Sequence, residues 1–382
     1  MKALLPKIKF KNFDEKWNRK KLHSIAPLRG GFAFKSEKFQ NTGIPVVRIS
    51  NIKFDGTVGG EFEYYSKIIP DEKFVLRGRS ILLAMSGATT GKIAMLDSEK
   101  EYYQNQRVGY FQNTGEVDYD FLSSVLQTKA FTNQLNAVLV AGAQPNISSK
   151  EIDSFEFCIP DSIDEQSAIG SLFRTLDDLL ASYKDNLINY QSLKATMLSK
   201  MFPKAGQTVP EIRLYGFEGE WKRKNLSEVC NINSGRDYKH LKDGDIPVYG
   251  TGGYMLSVND KLSDEDAIGI GRKGTIDKPY LLSAPFWTVD TLFYVTCKVG
   301  YDLYYLFLIF QKVRWKKFDE STGVPSLSKK TIEKVVSKFP SLPEQQAIGA
   351  YFSNLDNLIN SYQEKISQFE TLKKKLLQDM FI

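Results

Sequence analysis

Apolar residues recur at an average 3.5-residue step along two stretches of this chain. One stretch runs through Ile169, Phe173, Leu176, Leu180, Tyr183, Leu187, Tyr190, Lys194, Met197 and Met201. The other runs through Ile348, Phe352, Leu355, Ile359, Tyr362, Ile366, Phe369, Lys373, Leu376 and Met380. Nine of ten positions are apolar in each, with a lysine at the same step. A period held at 3.5 predicts a coiled-coil seam between two helices packed on each other; two separate amphipathic helices, each on its own domain, are the plainer alternative. Ser162-x-x-Glu165 and Ser341-x-x-Glu344 read as capping boxes, the second with Pro343 in the first turn, where a missing N–H costs nothing. At ~1.5 Å per residue, roughly 36 residues make a rod of about 54 Å.

Ahead of each helical stretch the pattern shortens to strands. Residues 44–50, 79–86, 92–97 and 108–112 read as strands, and a helix begins at Tyr119. In the other half 246–251, 266–271 and 292–296 read as strands, followed by a helix over 301–318. Strands grouped before helices suggest α+β domains.

The halves are copies. PKIKFKNFDEKWNRKKLHSIA from Pro6 returns as PEIRLYGFEGEWKRKNLSEVC from Pro210, placing Trp17 on Trp221; GIPVVRISN at Gly43 echoes DIPVYGTGG at Asp245; QPNISSKEI at Gln144 echoes VPSLSKKTI at Val324. The helix starts from Glu165 and Glu344 align without gaps, with 11 identities in 19 positions. The expected organisation is a first globular domain over 1–160, a helix over 161–202, a linker over 203–209, a second globular domain over 210–340 and a second helix over 341–382. The order is circular, so a pseudo-two-fold would make the helices antiparallel and bring the chain ends together.

Composition narrows the function. The 382 residues hold 51 Lys and Arg against 45 Asp and Glu, a net charge of +6, with 42% hydrophobic content, which excludes a disordered chain. Residues 163–202 and 343–382 are each net −1, leaving +8 on the other 302 residues. Positive charge on the globular parts suits a polyanion. Basic, aromatic and amide groups interleave in Arg29–Lys35, Gln104–Arg107 and Val313–Lys317, and Arg, Asn and Gln can each make two hydrogen bonds to a base edge. Three scattered cysteines and two histidines make a metal site unexpected. No apolar run approaches ~18 residues, and the first ten residues lack a signal-peptide core, so a cytoplasmic protein without membrane contact is expected.

Two motifs imitate nucleotide loops. GIGRKG at Gly269–Gly274 fits GxGxxG, but TIDKPYLL follows with no helical period to meet a pyrophosphate. GATTGKI from Gly87 is one residue short of a phosphate loop and has Ile93 where Mg²⁺ needs Ser or Thr. Both read as tight loops between strands, and the chain is expected to carry no catalytic residues.

The duplicated unit resembles the specificity subunit of type I restriction-modification enzymes across essentially the whole chain. The resemblance rests on the W-x-R/K-K-x-L motifs at Trp17 and Trp221, G-x-A-F-K-S at Gly31–Ser36 with GIPVVRISNI, the SGATTGK and GRKGTIDK loops, and the EQ-x-A-I run at each helix start. It implies an α+β chain with two pseudo-two-fold related mixed α/β target recognition domains, separated by two long antiparallel coiled-coil helices. Each domain would read one half of a bipartite asymmetric sequence in double-stranded DNA, and the helices would set the spacer. The implied partners are two methyltransferase subunits and ATP-dependent restriction subunits, which would bind S-adenosylmethionine, ATP and Mg²⁺; no cofactor belongs to this chain. DNA contacts are then expected from Lys35, Arg48, Asn51, Ser86, Thr89, Lys92, Gln106 and Arg107 in the first half. In the second they are expected from Arg236, Lys239, Arg272, Lys273, Lys278 and Trp287. A scaffold joining two protein-binding domains, an orphan DNA-binding subunit without active partners, and a nucleotide-dependent enzyme built on GIGRKG stay open as other readings.

Overall fold

Alternation within the longest strands accounts for the layers of the first domain. A computed structural model describes residues 6–67, 74–141 and 146–382, so Gln144 and Pro145 of the QPNISSKEI echo lie outside the described residues. Six strands form one sheet in the order Leu28–Gly30, Val108–Phe111, Val75–Ala84, Ile93–Gln104, Ile44–Val47 and Glu63–Tyr65. All neighbours are antiparallel except Ile44–Val47 against Ile93–Gln104. Along the central strand Ile81 and Leu83 enter a core with Trp17, Phe121, Phe131 and Phe173, while Leu82 and Ala84 enter a second cluster with Val47, Ile52, Leu96 and Val108. Period-two alternation thus feeds two cores from one strand.

The second domain has a four-stranded sheet, Cys230–Ser234, Leu292–Cys297, Ala267–Gly271 and Tyr280–Leu282, and a three-stranded one, Gly253–Val258, Asp243–Gly250 and Trp287–Thr288. Its helix, Leu303–Lys312, buries Tyr305 through Phe310, then gives way to a 3-10 turn at Trp315–Phe318. The buried Trp315 indole donates to Phe310 O at 2.8 Å, which fixes that turn. In the first domain the single helix expected from Tyr119 is two, Tyr119–Val125 and Lys129–Ala141. Thr128 makes the break: its hydroxyl donates to Val125 O (2.7 Å) and accepts from Phe131 N–H (3.4 Å), as a helix-starting residue does.

The long helices run Ile163–Lys200 and Leu342–Asp379, each 38 residues. Compact units cut across the consecutive segments: one comprises Met1–Tyr183 with Lys365–Ile382, the other Lys184–Glu364. In the first unit Phe173 meets Phe381 (5.7 Å between ring centroids), Lys373 pairs with Asp177, and Tyr183 meets Phe369 (5.4 Å). Numbers rise on one helix as they fall on the other, so the two segments are antiparallel there. In the second unit Tyr190 meets Tyr362 (5.3 Å), Lys194 pairs with Asp356 (2.6 Å), and Phe202 meets Phe352 (6.5 Å). Of the expected seam, Ile169, Phe173, Leu176, Leu180, Ile348, Phe352, Leu355, Ile359 and Ile366 are buried, and Tyr183, Leu187 and Tyr362 are half-buried. The lysine in each apolar register has a reason: it meets the other helix's aspartate at a half-buried position.

Each domain closes the same way. Asn18–Lys21 pairs with Glu156–Ile159, and Lys222–Asn225 with Val336–Phe339, so the opening strand lies on the strand that leads into the long helix. The Ile8 amide donates to Asp379 O and the Ile212 amide to Lys200 O, both at 3.0 Å. The helix starts correct the capping-box reading. Ser162 Oγ does accept the Glu165 amide (3.3 Å), but the Glu165 carboxylate faces inward and accepts the Trp17 indole N–H at 3.2 Å. Burial pushes this carboxyl above its ordinary range, and its second oxygen has no partner among the described residues. Glu344 instead accepts from Arg213 Nε and Nη2, at 2.8 and 2.7 Å. A buried carboxylate needs a donor, and these side chains supply one that no local spacing foretells.

Candidate nucleic-acid interface

One set of backbone hydrogen bonds organises the loop end of both domains, although the sequences there differ. In the first, the turn after Gln104 is the hub. The Phe32 amide donates to Gln104 O (2.9 Å), Asn105 to Val47 O (3.0 Å), Met85 to Arg107 O (3.0 Å) and Val108 to Asn105 O (2.9 Å). In the second, Arg236 donates to Thr288 O (2.8 Å), Val289 to Tyr249 O (3.0 Å), Arg272 to Thr291 O (2.8 Å) and Leu292 to Val289 O (2.9 Å). Ile147 N–H to Met85 O and Leu327 N–H to Arg272 O, both 2.9 Å, complete the match. The frame carries the register of the opening repeat on to Phe32 and Arg236, and adds one that the repeated motifs do not give: Met85 stands with Arg272, Ser86 with Lys273, Gln106 with Asp290 and Arg107 with Thr291.

Two glycines permit the crossing. A Cβ on Gly31 would lie 2.1 Å from Asn105 O, and one on Gly235 would lie 2.0 Å from Val289 O. Both backbones are held by the hub and cannot withdraw. Gly31→Ala and Gly235→Ala should therefore each destabilise the chain by about 2–3 kcal/mol, read as a lowered urea midpoint; a midpoint equal to the parent's would show that the crossing has slack.

Lys35, Gln106, Arg107, Arg236, Lys239, Arg272, Lys273 and Lys278 are exposed on these loops. Arg272 donates to Asp290 O at 3.5 Å and lies over the Phe293 ring. Lys316, 2.7 Å from Asp277, holds that carboxyl below its ordinary range and neutralises the one acid of the GRKGTIDK loop. Positive charge there is left to Arg272, Lys273 and Lys278.

Other expected contacts sit differently. Asn51 is 1% exposed; its Oδ1 accepts the Arg48 amide (3.0 Å) and its Nδ2 donates to Gly59 O (3.2 Å) and Glu61 O (2.9 Å). With both polar ends engaged inside the fold it has no edge for a base, and its expected role is corrected to that of a loop staple. Trp287 is buried, pairs with Val248 across strands, and donates its indole N–H to Arg236 O at 2.9 Å. It supports the loop that presents Arg236 and does not itself reach the surface. Gln104, the amide of the Gln104–Arg107 segment, is likewise interior: Oε1 accepts Arg29 Nη2 (3.0 Å), and Nε2 donates to Arg29 O (2.8 Å) and Val108 O (2.7 Å). Ser86 is buried, Thr89 is half-buried with its hydroxyl 3.4 Å from Ile49 O, and the Lys92 ammonium lies against the Phe54 ring. Arg48 is half-buried beside Glu63 (3.5 Å), with its Nε lacking a partner among the described residues. Phe54 itself, exposed at 89%, was not expected from the sequence; the sign was there in an aromatic lodged in the turn sequence Lys53-Phe-Asp-Gly-Thr57.

Neither nucleotide-like motif has nucleotide-site geometry. Gly269–Gly271 ends a strand, and the next regular element after Gly274 is the strand Tyr280–Leu282. Gly87–Thr89 is a single 3-10 turn between two paired strands. Among the described residues no helix is long and apolar enough to cross a membrane.

Comparison with known proteins places the chain. The family model described as the type I restriction modification DNA specificity domain matches it twice, over residues 14–190 and 218–371. The specificity subunit of the type I restriction enzyme MjaVIII from Methanocaldococcus jannaschii is 27% identical over 177 residues, which is 44% of this chain and 40% of that protein. A Mycoplasma genitalium protein named as a type I specificity subunit is 20% identical over 397 aligned residues, covering 99% of this chain and 97% of the other. The crystal structure of a type I restriction-modification S subunit from M. genitalium superposes with a TM-score of 0.72 at 19% identity, covering 99% of both chains. The fold is that of the S subunit.

Proposed function

Because the chain belongs to the type I restriction modification DNA specificity family, we propose that it chooses the DNA address for a methyltransferase and endonuclease assembly. Each domain reads one half of a bipartite, asymmetric target in double-stranded DNA through the loops gathered at its hub. The observation that carries this reading is the common backbone frame bearing unlike side chains. Two such frames present the same geometry to DNA while differing in which bases they accept, as unequal half-sites require. Exposed Lys and Arg around each hub supply phosphate contacts.

The two long helices act as an antiparallel coiled coil with pseudo-two-fold symmetry and fix the spacing between half-sites. Reciprocal pairs support this. Lys194 with Asp356 and Lys373 with Asp177 are one contact made twice, as are Tyr190 with Tyr362 and Tyr183 with Phe369; such reciprocity is the mark of a two-fold interface. Leu179 and Leu372 of one unit, and Ile188, Leu193 and Leu358 of the other, are exposed on these helices, and apolar side chains left in water suit the docking of methyltransferase subunits. S-Adenosylmethionine, ATP and Mg²⁺ are bound by the methyltransferase and restriction partners, and this chain does no bond-making of its own.

Methylome sequencing of cells with and without the gene tests the reading. Deletion should remove adenine methylation at one bipartite asymmetric motif and leave other motifs unchanged. An identical methylome in both strains would refute the assignment for this chain in its host.

A further inference from the structure

The first domain carries a loop that the second lacks. Residues 48–62 lie between the antiparallel partners Ile44–Val47 and Glu63–Tyr65, whereas Asp243–Gly250 and Gly253–Val258 are joined through Thr251 and Gly252 alone. The longer loop is fastened from within. Asn51 ties Arg48 to Gly59 and Glu61. The Lys53 amide donates to Thr57 O (2.9 Å), and Asp55 Oδ1 accepts the Thr57 amide (3.0 Å) and hydroxyl (2.7 Å). Gly56 O accepts the Met95 amide at 2.9 Å, which pins the tip to the sheet. At that tip Phe54 is 89% exposed. Isolated exposed apolar residues are ordinary. Here, however, the turn holds the ring out in water with its backbone fixed on both sides, and a cation, Lys92, lies against its face. Lys92 closes the 85–92 loop, whose first residue hangs on the Arg107 carbonyl of the hub.

We infer that Phe54 is an apolar wedge that inserts into the base stack of DNA beside the first half-site, with Lys92 passing from the ring to a neighbouring phosphate. The inference rests on the DNA-reading role proposed above. Apolar side chains inserted between base pairs partly unstack them and kink the duplex, most easily at pyrimidine–purine steps. A wedge must be held out before DNA arrives, and the loop's internal hydrogen bonds do that. In the second domain Tyr254 and Met255 are exposed just after the Thr251–Gly252 turn, but they lie on the strand Gly253–Val258 and not at the tip of a fastened loop, so the wedge is assigned to the first half of the target.

The test uses the full chain assembled with its methyltransferase subunit and a duplex of the motif found by methylome sequencing, with 2-aminopurine at successive positions in and beside each half-site. The parent should raise fluorescence at one step next to the first half-site. Phe54→Ala should abolish that rise and weaken binding roughly tenfold, with the salt slope unchanged because no charge is lost; Phe54→Leu should keep part of both. The thermal midpoint should not move, since the side chain is exposed. If the parent binds the motif and Phe54→Ala matches it in fluorescence and affinity, the wedge is wrong and the DNA-reading role stands. If the parent assembly binds no DNA, both fall. If Phe54→Ala loses the methyltransferase subunit while the DNA signal persists, Phe54 is a protein contact and the inference is overturned.

Discussion

Seven residues inserted after Tyr183, together with seven after Glu364, should lengthen the spacer of the methylated motif by roughly 3 bp, because ~10.5 Å of added helix corresponds to about three steps of ~3.4 Å. Both positions are boundaries between the compact units, so neither core is interrupted. A heptad is the right increment. It returns the apolar seam to nearly the same face and leaves Lys194 with Asp356 and Lys373 with Asp177 inside their own units. Seven residues in one helix alone would throw its second half out of step with its partner and should abolish methylation. Methylome sequencing of the variant reads the result directly, and an unchanged spacer in the doubly extended chain would refute the role of the helices in spacing.

Exchange of residues 1–160 for the corresponding domain of another specificity subunit should replace the first half-site completely and leave the second half-site intact. The structure adds a condition to that modular expectation. Phe381, from the far end of the chain, lies among Trp17, Phe121 and Phe173, with centroids 6.2, 5.6 and 5.7 Å away. Lys373 also donates to Gln127 at 2.6 Å. A donor domain that keeps aromatic residues at the Trp17 and Phe121 positions should fold on this chain. One with small residues there leaves a cavity worth about 3–5 kcal/mol and should yield an unstable product rather than a new specificity. A change in both half-sites after a well-folded exchange would sink the assignment of one half-site to each domain.

What could be read without coordinates was whatever is local or repeated. The 3.5-residue seam, the duplication and the loop-like character of GIGRKG and GATTGK needed only periods and spacings. Alternation located parts of the longer strands, whereas Cys230–Ser234 and Gly253–Val258 were not expected, nor were short strands such as Asn18–Lys21, all exposed, whose polar residues give no alternating signal. The site was harder. Basic residues on the hub loops were legible because charge tends to stay in water, whereas Asn51, Gln104 and Trp287 have the same hydrogen-bonding groups as a base-reading residue and use them inside the protein. Nothing in their neighbours along the chain says which.

Duplication, two matched helices and positive charge on the globular parts are legible in the residues alone, because repetition and helical period are properties of adjacent positions. Which distant segment each polar group meets is set by the folded chain. The seam lysines find aspartates 162 and 196 positions away in the chain, Glu165 and Glu344 find different donors, and two dissimilar domains share one hub. A buried donor or acceptor is costly to leave unpaired, so the fold brings most of them a partner from wherever the chain returns and, among the described residues, leaves few alone, Glu165 Oε2 and Arg48 Nε being two.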